Sequence, residues 1–205
     1  MKRILCLLII FSLLMLGVPT VYGAAQHASF EDYADEAGLI KVLNIADIHA
    51  DNGGESVTRQ EYAVILYKML GLGVFQEENS SVSLYSDVSS DSFYAPYINA
   101  LSQMKIINGF QDGSFCPEQE ITLIEAVTAL VNLLGYQHLA MAKGGFPSGY
   151  LEIAHQLDLL KGQSLSLNER IVKADILPIC YNALQADLML QDSVSDKTTQ
   201  YKSEK

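Results

Sequence analysis

The sequence predicts an all-α fold in which three helix–loop–helix repeats pack as a pseudo-threefold helical bundle. An apolar pattern of helical period occurs three times. Two of its occurrences open on the same capping signature. No long run alternates apolar with polar residues, as a half-buried sheet requires. Taking Thr58, Thr122 and Val172 as equivalent starts, positions four, five, seven, eight, eleven and twelve residues on are compared. The first start gives Tyr62, Ala63, Ile65, Leu66, Met69 and Leu70. The second gives Ala126, Val127, Ala129, Leu130, Leu133 and Leu134. The third gives Ile176, Leu177, Ile179, Cys180, Ala183 and Leu184. Apart from the amphipathic Tyr62 all are apolar, the stripe of one helix face.

The elements follow in chain order. Residues 1–23 read as a secretory signal peptide: Lys2 and Arg3, an apolar run from Ile4 to Val18, and Val21-Tyr22-Gly23 before the cleavage point. The run is too short to span a bilayer comfortably, and Cys6 lies too far from the cleavage point for a lipid anchor. The repeats are placed at 24–72, 85–136 and 146–190. Each is expected to hold a shorter helix, over Tyr33–Leu43, Tyr94–Lys105 and Gly149–Leu160, before its longer one. Thr58 with Glu61, and Thr122 with Glu125, form Thr-x-x-Glu capping boxes worth about 1 kcal/mol each. The third start lacks the hydroxyl, and Ser166-Leu167-Asn168-Glu169 offers a capping box upstream, so that helix is expected to begin earlier. Gly71 and Gly135 supply helix stops. One helix pair cannot bury its own apolar face, so the three pack together. The polar tail 191–205 is expected to be disordered.

Composition narrows the function. The formal charge of −11 becomes −13 when Lys2 and Arg3 are removed, leaving no footprint for nucleic acid and repulsion from anionic lipid. Of the mature chain's Cys116 and Cys180, the second lies on an apolar helix face, and two buried thiols are expected rather than a disulfide scaffold. Asp47-Ile48-His49-Ala50-Asp51 reads as an acidic loop rather than a metal site. Asn108–Ser114 fails as a calcium loop, since counting Asn108 as first puts Phe110 third and Gln119 twelfth. His27, His138 and His155 have no partners at useful spacing, and no catalytic or phosphate-cradling motif occurs. No enzyme activity, metal or cofactor is implied.

The most informative stretch runs from Tyr85 to Tyr136. It reads Tyr85-Ser86-Asp87-Val88, Phe93-Tyr94-Ala95-Pro96-Tyr97-Ile98, then Ile107-Asn108-Gly109-Phe110-Gln111-Asp112-Gly113-Ser114-Phe115, then Ile121-Thr122-Leu123-Ile124-Glu125. From the residues alone this is an ordered connection between helices. Gly109 closes a turn, Asp112-Gly113 makes another, and Asp87 either caps the next helix or holds the loop. The stretch resembles an S-layer homology module, the repeat with which bacterial surface proteins hold the cell wall. The resemblance implies modules in threes, forming a pseudo-threefold assembly whose grooves bind secondary cell-wall polysaccharide, often pyruvylated. It also implies an Ile-Thr-Arg-Ala-Glu cap whose arginine grips the anionic sugar, as suits a forked guanidinium.

Residue by residue the match is uneven. The first repeat keeps Arg59 in Val57-Thr58-Arg59-Gln60-Glu61 and opens on Phe30-Glu31-Asp32-Tyr33. Its loop is degraded to His49-Ala50-Asp51-Asn52-Gly53-Gly54. The second repeat carries Leu123 at the arginine position, and the third carries Lys173 with Asp175 at the acid position. Tryptophan is absent from the chain, and Phe93-Tyr94 stands where the family places it. Arg59, then Lys173, are therefore the expected glycan contacts, with Tyr94 offering a flat face. Asp87, Gly109, Asp112, Gly113, Thr58, Glu61, Thr122 and Glu125 are expected to be structural. The resemblance implies a secreted, non-catalytic wall anchor of the cell wall or S-layer, free of the membrane after cleavage. The alternative is a surface protein-interaction module that keeps the fold and has lost the glycan site.

Overall fold

The computed structural model describes residues 26–72, 83–195 and 198–204, the last strands (from residue 190) in backbone only; the signal segment 1–23 lies outside them. The fold is all-α, with one small hairpin. A 3-10 turn at Phe30–Tyr33 leads into α1 (Ala34–Val42), followed by α2 (Arg59–Met69), α3 (Ala95–Gln103), α4 (Leu123–Leu133), α5 (Gln137–Ala142), α6 (Ser148–Gln156) and α7 (Lys173–Gln185). No described helix is long and apolar enough to cross a membrane.

The starts of α2, α4 and α7 are tied in a closed cycle. Val57 N donates to Ile171 O at 3.2 Å, Ile171 N to Ile121 O at 3.1 Å, and Ile121 N to Val57 O at 2.9 Å. Their side chains are buried at the centre. The first amides of each helix, which have no partner inside the helix, reach the segment before another. Arg59 N bonds Gln119 O at 2.9 Å and Gln60 N bonds Pro117 O at 3.0 Å. Leu123 N bonds Glu169 O and Ile124 N bonds Leu167 O, both at 2.9 Å. Lys173 N bonds Glu55 O at 2.8 Å and Ala174 N bonds Gly53 O at 2.9 Å.

The shorter helices pack on longer helices that precede them in this cycle: α3 on α2, α6 on α4, and the N-terminal α1 on the C-terminal α7. That last contact closes the ring and makes one continuous core. Within it the hydroxyl of Tyr62, which is 1% exposed, donates to Ala126 O at 3.1 Å, and burial raises its pKa well above the ordinary value.

Several expectations are corrected. Helix α7 begins at Lys173, not upstream. Ser166–Glu169 forms a turn, with Glu169 N on Ser166 O at 2.9 Å, and its carbonyls serve the start of α4 instead. Gly109 does not adopt the left-handed conformation; Lys105 does, at φ 59°, and ends α3. Asn44 and Asp158, at φ 55°, do the same for α1 and α6. Each is followed by a buried apolar residue, Ile45, Ile106 or Leu159, whose amide bonds back into the last turn. Gly71 and Gly135, at φ 70° and 86°, follow the ends of α2 and α4. Cys180 is buried, but Cys116 is only half-buried, and neither is bonded to another cysteine. Where the sequence predicts a disordered tail, β1 (Leu188–Ser195) and β2 (Thr198–Glu204) pair antiparallel. Main-chain pairing and a start anchored by Met189 N on Leu134 O, 2.8 Å away, hold this hairpin.

Candidate functional site

The loop between α3 and α4 is built around Asp87. Its carboxylate accepts from Phe115 N at 2.8 Å and Cys116 N at 2.7 Å. Asp112 Oδ1 accepts from Ser114 N at 3.0 Å and Ser114 Oγ at 2.6 Å, which lowers its pKa. Gly113 turns at φ 83°. Gly109 is required by close approach: a Cβ there would lie 2.2 Å from the Tyr85 ring and 2.4 Å from Ser114 O. The Tyr85 hydroxyl in turn accepts from Gly109 N at 3.0 Å.

This loop presents two carbonyls to Arg59 from the start of α2. Arg59 Nε donates to Phe115 O at 2.9 Å and Nη2 to Asn108 O at 3.0 Å. Nη1 lies 3.6 Å from Glu125 Oε1 on α4. The guanidinium stacks over Phe115 at 4.7 Å and Phe110 at 5.1 Å. Its side chain is only 11% exposed, and desolvation lowers its pKa against the pull of Glu125. Arg59 lines a cleft of about 160 Å³. Its α4 wall is Glu125, Thr128, Ala129 and Asn132, one helical face. Phe146, 59% exposed, also lines it.

Thr58 and Thr122 cap their helices with the predicted glutamates. Glu61 Oε2 accepts from Thr58 N at 2.8 Å and Thr58 Oγ1 at 2.7 Å. Glu125 Oε2 accepts from Thr122 N at 2.9 Å and Thr122 Oγ1 at 2.8 Å. Glu125 also approaches Arg59 across the first cleft, and Glu61 lines a second cleft with Lys68 and Lys173.

Lys173 and Tyr94 lie together, away from Arg59. They line a second cleft of about 280 Å³ with Glu61, Val64, Ile65, Lys68 and Phe93. Lys173 Nζ pairs with Glu55 and is 24% exposed. The rings of Phe93 and Tyr94 meet edge-on at 5.3 Å. At the third position Leu123 is 1% exposed. Asp175, fully buried, accepts from Val172 N at 2.8 Å and Ala28 N at 2.7 Å, and its Oδ2 lies 2.7 Å from His27 Nδ1.

His27 therefore has a partner that sequence spacing did not reveal, because 148 residues separate the two. Thr128 and Asn132 were also missed. Their signal was present: they are the polar interruptions, three and seven residues after Glu125, of the apolar run in α4. Phe110 and Phe146 gave no comparable signal. Among the described residues no three His, Cys, Asp or Glu side chains converge to hold a metal.

The family of S-layer homology domains matches residues 84–127, the segment that carries this loop and the start of α4. The middle cell wall protein of Brevibacillus brevis is 28% identical over 200 residues, 93% of this chain and 19% of that relative. The surface layer protein of Brevibacillus choshinensis is 31% identical over 154 residues, 75% of this chain and 13% of the relative. A cellulosome-anchoring protein of Acetivibrio thermocellus is 28% identical over 118 residues, 57% of this chain and 24% of the relative. The chain thus spans under a quarter of the length of each. With that module covering the Asp87 loop, and with these relatives matching most of the chain, the chain is an S-layer homology domain protein.

Proposed function

We propose that the chain is an exported, non-catalytic cell-surface module of three degenerate S-layer homology repeats, at 24–72, 85–136 and 146–190, that anchors itself or a partner to the bacterial wall by binding secondary cell-wall polysaccharide. Its Arg59 cleft is the principal site, and an anionic, pyruvylated sugar is the ligand class that suits the guanidinium. The surface, cell-wall and anchoring names of its relatives support the location. The hydrogen-bond cycle through Val57, Ile121 and Ile171 supports the three repeats. The observation that carries the binding reading is the Arg59 cleft itself: a largely desolvated guanidinium, held rigid by two carbonyls, beside exposed Phe110 and Phe146. Such a site offers a charge-assisted donor and flat faces together. Lys173 with Tyr94 forms a secondary contact in the wider cleft.

The test is sedimentation of purified mature protein with wall sacculi before and after secondary polymer is stripped. Binding to native sacculi alone supports the reading, and equal binding to both ends it. Absence of muropeptide release in the same mixtures supports the non-catalytic part.

A second reading is favoured by leucine at position 123, where the family places its arginine, and by the absence of tryptophan; Leu123 itself, 1% exposed, is core and supplies no contact patch. A module with one of its cation positions filled by leucine suits a surface protein-interaction role in which the glycan site is lost. Retention on protein-bearing, polymer-free envelopes would support it.

A further inference from the structure

The α4 wall of the Arg59 cleft carries two buried polar atoms that no described residue uses. Thr128 Oγ1 and Asn132 Oδ1 have no hydrogen-bond partner among the described residues. Both residues line the cleft. The orientation of Asn132 is set by its other end, because Nδ2 donates to Ile106 O at 3.0 Å. Oδ1 is therefore an acceptor that requires a donor. Thr128 stands one turn earlier, and its hydroxyl makes no bond back to its own helix. Glu125, a turn before that, keeps Oε2 in the helix cap and turns Oε1 toward the cleft.

Asn132 Oδ1 is thus an unused acceptor, and the Thr128 hydroxyl an unused donor and acceptor, on residues that line the same cleft as Arg59. A carboxylate laid against Asn132 Oδ1 would meet lone pairs only, whereas a ligand hydroxyl can donate to Asn132 and pair with Thr128 in either direction. Leaving a buried acceptor without its donor is unfavourable, so such atoms discriminate between ligands. The other long helices lack the pair. At the positions of Thr128 and Asn132, α2 has Val64 and Lys68. There α7 has Pro178 and Asn182, the latter donating to Leu159 O and Lys161 O at 3.2 and 2.8 Å.

We infer that Thr128 and Asn132 are specificity-determining residues that hydrogen-bond ligand hydroxyls, Asn132 as acceptor and Thr128 as donor or acceptor, so that this cleft takes a hydroxyl-bearing sugar ring, any anionic group lying beside Arg59. The inference rests on the wall-polysaccharide reading above and deepens it.

The test compares the wild type with Thr128→Val, Thr128→Ser and Asn132→Ala on native sacculi, well below each variant's unfolding midpoint, together with thermal unfolding of the free proteins. Thr128→Val keeps the shape and removes the hydroxyl. Its affinity falls about three- to tenfold while its midpoint stays level or rises, since an unsatisfied buried group has gone. Thr128→Ser retains wild-type affinity. Asn132→Ala weakens binding similarly, with a lowered midpoint because the Ile106 carbonyl loses its donor. Wild-type affinity in both Thr128→Val and Asn132→Ala overturns the inference, as does a Thr128→Val loss that Thr128→Ser shares. If the wild type itself sediments equally with stripped sacculi, the wall-polysaccharide reading fails and takes this inference with it. Normal wild-type binding with unaffected variants defeats the hydroxyl reading alone.

Discussion

Arg59 and Leu123 occupy the same place in two helices, and the molecule treats them in opposite ways. Each follows a capping threonine, each precedes a glutamate that closes the cap, and each main-chain amide reaches a neighbouring carbonyl at 2.9 Å. The side chains then diverge. Arg59 lies along a cleft, bonded to two carbonyls and facing Glu125. Leu123 is buried, and Asp175, which matches Glu125 in position, is covered by His27 and Ala28 from the N-terminal segment. The backbone frame is thus indifferent to the residue after the cap. A position can lose its charge without loss of the cycle that holds the three helices together, so fold and ligand chemistry are separable in this architecture.

The largest expected effects test the closed side. Asp175→Ala removes the buried carboxylate that serves Val172 N, Ala28 N and His27 Nδ1 and costs about 3 kcal/mol in urea unfolding. Leu123→Ala costs a similar amount, about 2–5 kcal/mol, by leaving a cavity. Both leave retention on sacculi, per folded molecule, close to wild type. A loss of retention in Leu123→Ala would dissolve the contrast, since it would place ligand at both positions.

On the open side, Arg59→Ala weakens retention on native sacculi by about 1–3 kcal/mol, the worth of a charge-assisted contact. Arg59→Lys restores charge without the fork and recovers only part of this. Full recovery would show that a point charge suffices. The two caps differ less. Thr58→Ala and Thr122→Ala each lower stability by about 1 kcal/mol, measured by chemical unfolding. A much larger cost at Thr122 would mean that its cap also holds the cleft wall in place.

The smallest effect concerns the thiols. Burial raises the pKa of Cys180 from 9.0 to about 12, while Cys116 is half-buried on the Arg59 loop. At neutral pH an alkylating reagent therefore labels Cys116 in the folded protein and reaches Cys180 only after denaturation. Equal labelling would show that the core opens readily. The raised pKa means the folded state favours the protonated thiol. Its contribution to stability is complete below pH 9.0 and is lost as pH climbs toward about 12. Cys180→Ala should accordingly flatten the fall of stability at alkaline pH.

The sequence alone determined the helical class and the long helices, because a 3.6-residue apolar stripe and a Thr-x-x-Glu start are local features that any packing must respect. It also marked Arg59, Glu125 and the Asp-Gly turn, whose roles begin with residues a few positions away. Only the tertiary structure decided which helices touch. Each shorter helix leans on a longer one of another segment, and α1 closes the ring on α7, a choice set by burial across the whole chain. It likewise decided that Ser166–Glu169 serves α4, that Lys105 rather than Gly109 turns left-handed, and that His27 meets Asp175. Thr128 and Asn132 were legible as polar breaks in the apolar run of α4, but not as unpartnered groups lining a cleft. Whether such an atom finds a partner depends on groups distant in sequence, which local pattern does not encode.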